Sequence, residues 1–405
     1  MSNCIIAQSG GPTSVINSSV VGLLHANKEL QSFDTVYGGL NGIEGILNRN
    51  IIDLSSVSTE ELHNFRFTPS SGLGSCRYKL KDIDCSLEEY ESLINILNEY
   101  NIKAFFYVGG NDSMDTISKL SKYAEVNNID IKFIGIPKTI DNDLKFTDHT
   151  PGFGSASKFI ATTTLETYLD CSVYTNNGIF ILETMGRDTG WLAASACMAK
   201  LDDKPVADFI YLPEVAFDCD KFLKDVQAKF KEQNKVYIIV SEGIRDKNGK
   251  FISELESSAQ DKFGHAQLGG VAIHLKNLIL ESGITSRVKT LELGILQRCA
   301  MHCASNTDLK EAFAVGEMAL RYATEGETGK MVSIHRESNS PYRVSYPLVN
   351  AHEVANNVSY FPVEWINDDC NFVTEEAYAY FEPLIKDLPT LNLEGNLPKF
   401  KVFNQ

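Results

Sequence analysis

The chain has 405 residues, 43% of them hydrophobic and 22% charged, a globular balance that excludes wholesale disorder and, at this length, predicts two lobes rather than one core. Its formal net charge of −16 excludes a nucleic-acid surface, which needs clustered Lys and Arg, but leaves room for one cationic pocket holding a small anion. No apolar run approaches the ~20 residues of a membrane span, and MSNCIIAQSGG has no basic region before a long apolar stretch, so neither a membrane segment nor a signal peptide is expected.

Short β-type runs alternate with helix-period segments along most of the chain. NCIIAQ precedes TSVINSSVVGLLHANKEL, in which Val15, Ser19, Gly22, Leu23 and Ala26 fall near helical spacing. IKAFFYV precedes SMDTISKLSKYAEV, and IKFIGI precedes a loop and then SASKFIATTTLETYLDCSV. GIFILE, TGWLAASACMAKL, ADFIYL, DKFLKDVQAKFKEQ, KVYIIV and VAIHLKNLILES continue the alternation. The pattern predicts an α/β fold, with mainly parallel sheets and helices on both faces, because the strands are apolar throughout and must be covered on both sides. A break is expected near residues 144–154, LKFTDHTPGFG, which is rich in turn formers. After about residue 330 the chain becomes polar and aromatic with Pro and Asn punctuation, and is expected to wrap the core as an extension.

Nine cysteines form no CxxC pair, and an odd number cannot all pair within one chain, so reduced thiols in a cytoplasmic protein are expected. Cys299, His302 and Cys303 in CAMHC lack two further ligands at zinc spacing, and the segment reads as a buried helix.

Two strands run into glycine pairs: IIAQSGG into Gly10 and Gly11, and FFYVGGNDS into Gly109 and Gly110 before Asn111, Asp112 and Ser113. In a parallel sheet the ligand site lies at the carboxyl ends of the strands, where glycines admit a ligand and the next helix offers free N–H groups to an anion. No GxxxxGK[ST] and no GxGxxG occur, which excludes a P-loop and a dinucleotide fingerprint. After IKFIGI, the loop PKTIDND carries Lys138, Asp141 and Asp143. Two carboxylates there can divide the labour, one taking a proton from a hydroxyl and one holding Mg²⁺, although an acidic turn has the same composition. Arg187 in ETMGRDTGW can neutralise a transferring phosphoryl group, Glu242 in IIVSEG can bind sugar hydroxyls, and Arg77 and Arg298 are further candidate phosphate ligands. Together these features imply phosphoryl transfer to a hydroxyl.

In order across residues 3–335, SGG, GLGSCRY, GGNDS, PKTIDND, LETMGRDTGW, SEG and LGILQR resemble the motif series of the phosphofructokinases, and within that family the branch that uses diphosphate in place of ATP. The tail after about residue 330 resembles that of a long bacterial group in the same branch. The resemblance implies two Rossmann-like lobes with the active site in the cleft between them. Residues 1–150, completed by about 297–330, would bind the phosphoryl donor. Residues 151–296 would bind the sugar phosphate, and 331–405 would be a C-terminal extension packed on the core. Asp141 would deprotonate the 1-hydroxyl of fructose 6-phosphate, Asp143 would support Mg²⁺ and the transition state, and Thr139 would position the transferring group. Gly11, Arg77, Asp112, Ser113 and Lys138 would line the diphosphate site, and Asn111 with Asp112 would hold the metal. Thr139, Asp141, Met185, Gly186, Arg187, Glu242, Lys289 and Arg298 would bind the sugar phosphate, with Arg187 also stabilising transferred charge. A cytoplasmic homodimer or homotetramer is implied.

ATP-using relatives carry glycine at the positions of Asp112 and Lys138. A carboxylate at 112 repels the α-phosphate of a nucleotide, while Lys138 favours a compact diphosphate; at an effective ε of about 20, unit charges about 4 Å apart are worth ~4 kcal/mol. Asn111 stands where many members have aspartate. Arginines of the family are replaced by Gly178 and Lys289, and a histidine or tyrosine by Ile295. These three concern the grip on the sugar's 6-phosphate, for which Lys289, Arg298 and Lys330 are candidate substitutes, and they admit a larger substrate such as sedoheptulose 7-phosphate. A catalytically silent subunit would lack Asp141, Asp143 or Arg187, and an ATP-dependent kinase would have to tolerate Asp112 and Lys138.

Overall fold

A computed structural model describes residues 2–174, 178–253 and 270–403. They divide into two compact units: unit 1 comprises Met1–Ser155, Arg298–Val358 and Ile385–Gln405, and unit 2 comprises Ala156–Gln297 and Ser359–Leu384.

Unit 1 is built on strands β1 (Asn3–Gln8), β2 (Val36–Gly39), β3 (Ile51–Asp53), β4 (Ile102–Gly109) and β5 (Lys132–Pro137), with Lys330–Val332 and Leu348–Asn350 added late in the chain. The order from one edge is Leu348–Asn350, Lys330–Val332, β5, β4, β1, β2, β3. All internal pairings are parallel, and only the two edge strands run antiparallel. Alternate strand residues feed two separate cores. Ile5, Phe105, Tyr107 and Phe133 pack with the helices Leu87–Glu99 and Asn111–Val126. Ile6, Phe106, Val108 and Ile134 pack with the helices Ile16–Leu30 and Asn306–Thr324. The fully apolar strands are therefore buried on both faces, as their composition requires.

The helices Ile16–Leu30 and Asn306–Thr324 approach so closely that a Cβ at Gly22 would lie 2.0 Å from the Phe313 carbonyl oxygen, and one at Gly316 1.9 Å from the Ser19 carbonyl oxygen. Each glycine leaves room for the opposing backbone. Gly316→Ala is expected to force the helices apart and lower stability by about 1–3 kcal/mol, the usual cost of overpacking, readable as a lower denaturation midpoint at unchanged m-value. An unchanged midpoint would contradict this contact.

Unit 2 holds a second, wholly parallel sheet of β6 (Gly178–Thr184), β7 (Phe209–Tyr211), β8 (Lys235–Ser241) and β9 (Val288–Glu292), in the order β9-β6-β8-β7. Ile179, Ile181, Ile238 and Val240 form its core with Phe222 and Val226 of the helix Cys219–Gln233 and with Leu275 and Ile279 of Val271–Glu281. The polar, aromatic sequence after residue 330 is shared between the units. Residues 359–384 bring Phe361, Trp365 and Tyr380 around Trp191, with ring centroids 5.1–6.2 Å from the Trp191 ring, while Phe403 returns to unit 1 and packs on Phe65.

Two expected helices are shortened. TGWLAASACMAKL is helical only at Trp191–Ser195, followed by a 3₁₀ turn at Ala196–Met198. Residues 191–197 are all buried, so the segment has no polar face to set a period, and packing decides its path. CAMHC is not a buried helix but a single 3₁₀ turn at Met301–Cys303 with His302 exposed, because the chain must extend at Ala304 before the next helix begins. Among the described residues, Cys299, His302 and Cys303 do not converge on one point that an ion could occupy. All nine cysteines are free, and no described helix is long and apolar enough to cross a membrane.

Candidate active site

Three loops of unit 1 leave the carboxyl ends of the adjacent strands β1, β4 and β5: Ser9–Gly11, Gly110–Ser113 and Lys138–Asp143. The parallel sheet thus gathers the expected donor residues at one edge. The helix Asn111–Val126 starts after Gly110 with no side chain capping it, which leaves backbone N–H groups for an anion. Asp112 is exposed in that first turn, and Ser113 is buried, its Oγ 2.5 Å from Ser9 Oγ. Arg77 is exposed.

Lys138 is the least expected of these groups. Its side chain is only 3% exposed, and Nζ donates to the Gly11 carbonyl at 2.8 Å, joining the β5 loop to the β1 loop. Burial pushes its ammonium down, the charges of Asp141 and Asp143 oppose that, and Arg298 and Arg77 push it lower, for a net value of about 8. The lysine is therefore held where a further negative charge would be welcome. Arg298 belongs to the same unit, with Nη1 3.6 Å from where a Cβ of Gly11 would stand. Within unit 1 it therefore stands beside the β1 loop, at the residue where the chain re-enters that unit.

Asp141 is oriented by Thr139: its N–H donates to Thr139 Oγ1 at 3.1 Å, and Thr139 Oγ1 lies 3.4 Å from Asp141 Oδ2. Between the two acids, Asn142 takes a left-handed turn (φ 55°) and is buried, its Oδ1 accepting from the Thr150 N–H at 3.0 Å. The turn lets Asp141 and Asp143 both stay part-exposed. The Asn111 amide can be turned two ways. With nitrogen toward Asp143 it makes one long contact of 3.4 Å to Oδ2; turned over, it donates to the carbonyls of Val354 (2.9 Å) and Asn357 (3.1 Å). The second orientation satisfies more partners and sets the amide oxygen beside the Asp143 carboxylate. Two such hard oxygens fit Mg²⁺.

In unit 2, Met185–Arg187 and Glu242 leave the carboxyl ends of the paired strands β6 and β8. The Gly186 N–H donates to Glu242 Oε1 at 3.3 Å, the Met185 N–H to Gln297 Oε1 at 3.1 Å, and Ser241 Oγ to the Gly186 carbonyl at 2.6 Å. Glu242 and Gln297 thus fix the backbone that presents Arg187. Lys289 is not part of this cluster. It is exposed in β9 opposite Phe180, and with Tyr168, Lys235 and Arg287 it lines a cavity that includes Gly178 and Lys235, the first residues of β6 and β8.

The sequence pattern of the family described as phosphofructokinase matches residues 3–320. The chain belongs to the phosphofructokinase family. It is 40% identical over 400 residues to the pyrophosphate–fructose 6-phosphate 1-phosphotransferase of Halomonas elongata, covering 98% of this chain and 95% of that protein. It is 32% identical to a sulfofructose kinase of Alkalicoccus urumqiensis, over 96% of this chain and 97% of that one. Among solved structures it is similar to the pyrophosphate-dependent phosphofructokinase of Nitrosospira multiformis, with a TM-score of 0.88, 35% identity, and 98% and 95% of the two chains covered. The mixed α/β architecture with a mainly parallel sheet is that of the phosphofructokinase fold.

Residues that hold the surrounding loops in shape are not legible as motifs. Asp308 is buried, and its two oxygens accept from the N–H groups of Gly152 and Ser155 at 2.8 Å each, anchoring the start of the helix Phe153–Cys171. In sequence it looks like an ordinary acid in the first turn of its own helix. Glu214 accepts from the N–H groups of Gly190 and Phe361 at 2.8 and 2.9 Å, and burial lifts its carboxyl to about 7. Only the folded chain brings these partners together.

Proposed function

We propose that the protein catalyses the Mg²⁺-dependent, reversible transfer of a phosphoryl group from diphosphate to the 1-hydroxyl of fructose 6-phosphate, giving fructose 1,6-bisphosphate and phosphate. The observation that carries this reading is Lys138, a buried ammonium bonded to the Gly11 carbonyl in the loop that also presents Asp141 and Asp143. Asp141 takes the 1-hydroxyl proton as that oxygen bonds to the transferring phosphorus. The bond from this phosphorus to the bridging oxygen breaks, and phosphate leaves with the electron pair. Thr139 positions the transferring group, Lys138 and Arg187 offset its charge, Met185, Gly186 and Glu242 hold the sugar, and Arg298 contacts the sugar's own phosphate. Asn111 and Asp143, with Asp112 one residue away, would hold Mg²⁺, which when bound neutralises diphosphate charge. Donor and product have comparable transfer potentials, hence the reversibility.

A second reading keeps the chemistry and changes the sugar. Gly178 has φ 97°, and a Cβ there would lie 2.4 Å from the Arg287 carbonyl oxygen, so the family's arginine cannot occupy that position in this backbone. Ile295 is 65% exposed and Lys289 is exposed in the cavity at the start of β6 and β8, so neither supplies a buried grip to replace the one that the resemblance assigns to these positions. Sedoheptulose 7-phosphate is the leading alternative acceptor. Nine free thiols support a cytoplasmic setting. Exposed Leu169, Val173, Tyr174, Ile295 and Leu296 support a homodimer or homotetramer.

A panel of diphosphate and ATP against fructose 6-phosphate, sedoheptulose 7-phosphate and 6-sulfofructose tests both readings. Preference for ATP would overturn the donor assignment, and preference for another acceptor would replace fructose 6-phosphate. A pH series tests the lysine. Because its ammonium titrates near 8, it is charged below that pH and neutral above it. KM for diphosphate is therefore expected to rise above about pH 8, while kcat changes less because bound diphosphate keeps the lysine protonated. Lys138→Met should lack this limb; its persistence in the variant would assign it elsewhere.

A further inference from the structure

His149 follows the two aspartates in TDHTPGF, and the reaction steps above do not use it. It is 1% exposed, yet both ring nitrogens meet carboxylates at 2.7 Å: Nδ1 meets Asp148 Oδ1, and Nε2 meets Glu311 Oε2. Arg336 reaches Asp148 Oδ1 through Nε (3.1 Å) and Nη2 (2.8 Å), and Tyr342 donates to Glu311 Oε1 at 2.6 Å. A neutral imidazole offers one N–H and one lone pair, so it can satisfy only one of the two carboxylates; an imidazolium satisfies both. With His149 and Arg336 positive and Asp148 and Glu311 negative, the group is neutral as a whole and every flanking carboxylate is paired.

The group spans three elements: the loop after β5, the helix Asn306–Thr324 and the hairpin His335–Asn339/Tyr342–Ser345. The loop is stitched to the same places by backbone. Asp148 N–H donates to the Ile334 carbonyl at 2.7 Å, and Ile334 N–H donates to Thr147 Oγ1 at 2.9 Å. The residue after His149 carries the connection to the site. Thr150 Oγ1 donates to the Thr139 carbonyl at 2.8 Å, and Thr150 N–H donates to Asn142 Oδ1 at 3.0 Å. Three residues before Glu311 on the same helix, Asp308 holds Gly152 and Ser155. A displacement of His149 would thus pass through Thr150 to both sides of Asp141.

We infer that His149 is a positioning residue for phosphoryl transfer: as an imidazolium clamped between Asp148 and Glu311, it fixes the loop that presents Thr139, Asp141 and Asp143. Burial by itself pushes the imidazole down, but the Glu311 charge and the hydrogen bonds of Asp148 and Glu311 outweigh it and lift the ring to about 9. Among the described residues, Asp308, Tyr342 and Tyr346 also feel the Glu311 charge, and burial raises all three. His149 therefore stays charged across the neutral range. Near-attack geometry is sensitive to ångström-scale shifts, so loosening the loop should cost turnover rather than affinity.

The inference rests on the diphosphate-dependent reading, and the experiment separates the two. His149→Gln keeps hydrogen-bonding capacity but removes the charge, leaving Asp148, Glu311 and Arg336 with a net negative charge. It is expected to lower kcat about 10–100-fold, with KM for diphosphate and for fructose 6-phosphate within about twofold of the wild type. Adding Glu311→Gln restores neutrality and should recover part of the lost kcat. A drop in Tm with kcat unchanged in the folded variant, or no recovery in the double variant, would reduce His149 to a structural role. Nitrogen NMR of the wild-type protein labelled in its eight histidines requires neither a stable variant nor turnover. Both His149 nitrogens should remain protonated to about pH 8, and a neutral ring at pH 7 would overturn the inference. If the wild type transfers no phosphoryl group from diphosphate, the functional reading fails while the NMR result still decides the charge of the clamp.

Discussion

Asp141→Asn is expected to lower kcat about 10²–10⁴-fold in both directions, the range spanned by general-base catalysis. The asparagine keeps the shape of the side chain, and the backbone N–H of residue 141 still donates to Thr139 Oγ1. The loop should therefore hold its conformation, and KM for diphosphate should change little. The loss would mark an interaction needed in the transition state rather than one that binds the ground state. Initial rates with diphosphate and fructose 6-phosphate, and with fructose 1,6-bisphosphate and phosphate, provide the check. A variant that kept a third of wild-type turnover would remove Asp141 from the proton transfer and leave the DND loop as an acidic turn.

Lys138→Met should reduce kcat/KM for diphosphate by about 10²–10³-fold, the loss typical of one preorganised electrostatic group in a water-poor site. KM for fructose 6-phosphate should stay near its wild-type value. Methionine fills a similar volume without the charge, and burial already disfavours that charge in the folded state. Tm is therefore expected to hold or rise, which separates loss of the donor site from loss of the fold. Lys138→Gly combined with Asp112→Gly should likewise collapse diphosphate use. Retention of diphosphate activity in either variant, measured by coupled assay beside ATP, would overturn the role given to the lysine.

The main strands were legible because they are apolar throughout. NCIIAQ, IKAFFYV and IKFIGI must be buried on both faces, and all three lie inside the seven-stranded sheet of unit 1. The carboxyl-end loops were legible for a related reason. Glycine pairs and acids directly after such strands are placed at one sheet edge by parallel topology, whatever the rest of the chain does. TGWLAASACMAKL is helical over fewer residues than its composition predicts because a segment without a polar face carries no period, and CAMHC stops at one turn because the chain extends at Ala304, so tertiary contacts set where each turn ends.

By itself, then, the sequence determined the α/β class, the family, and the set of acids and cations at the strand ends, since these depend on local residue types and on their order. Only the tertiary structure decided how those groups are held. Lys138 became a buried cation by reaching Gly11, 127 residues earlier, and His149 became a clamp by meeting Glu311, 162 residues later. Arg298 joined unit 1 while Lys289 stayed apart in β9. Hydrogen bonds and charge interactions act over a few ångströms, and chain distance says nothing about which partners will come that close.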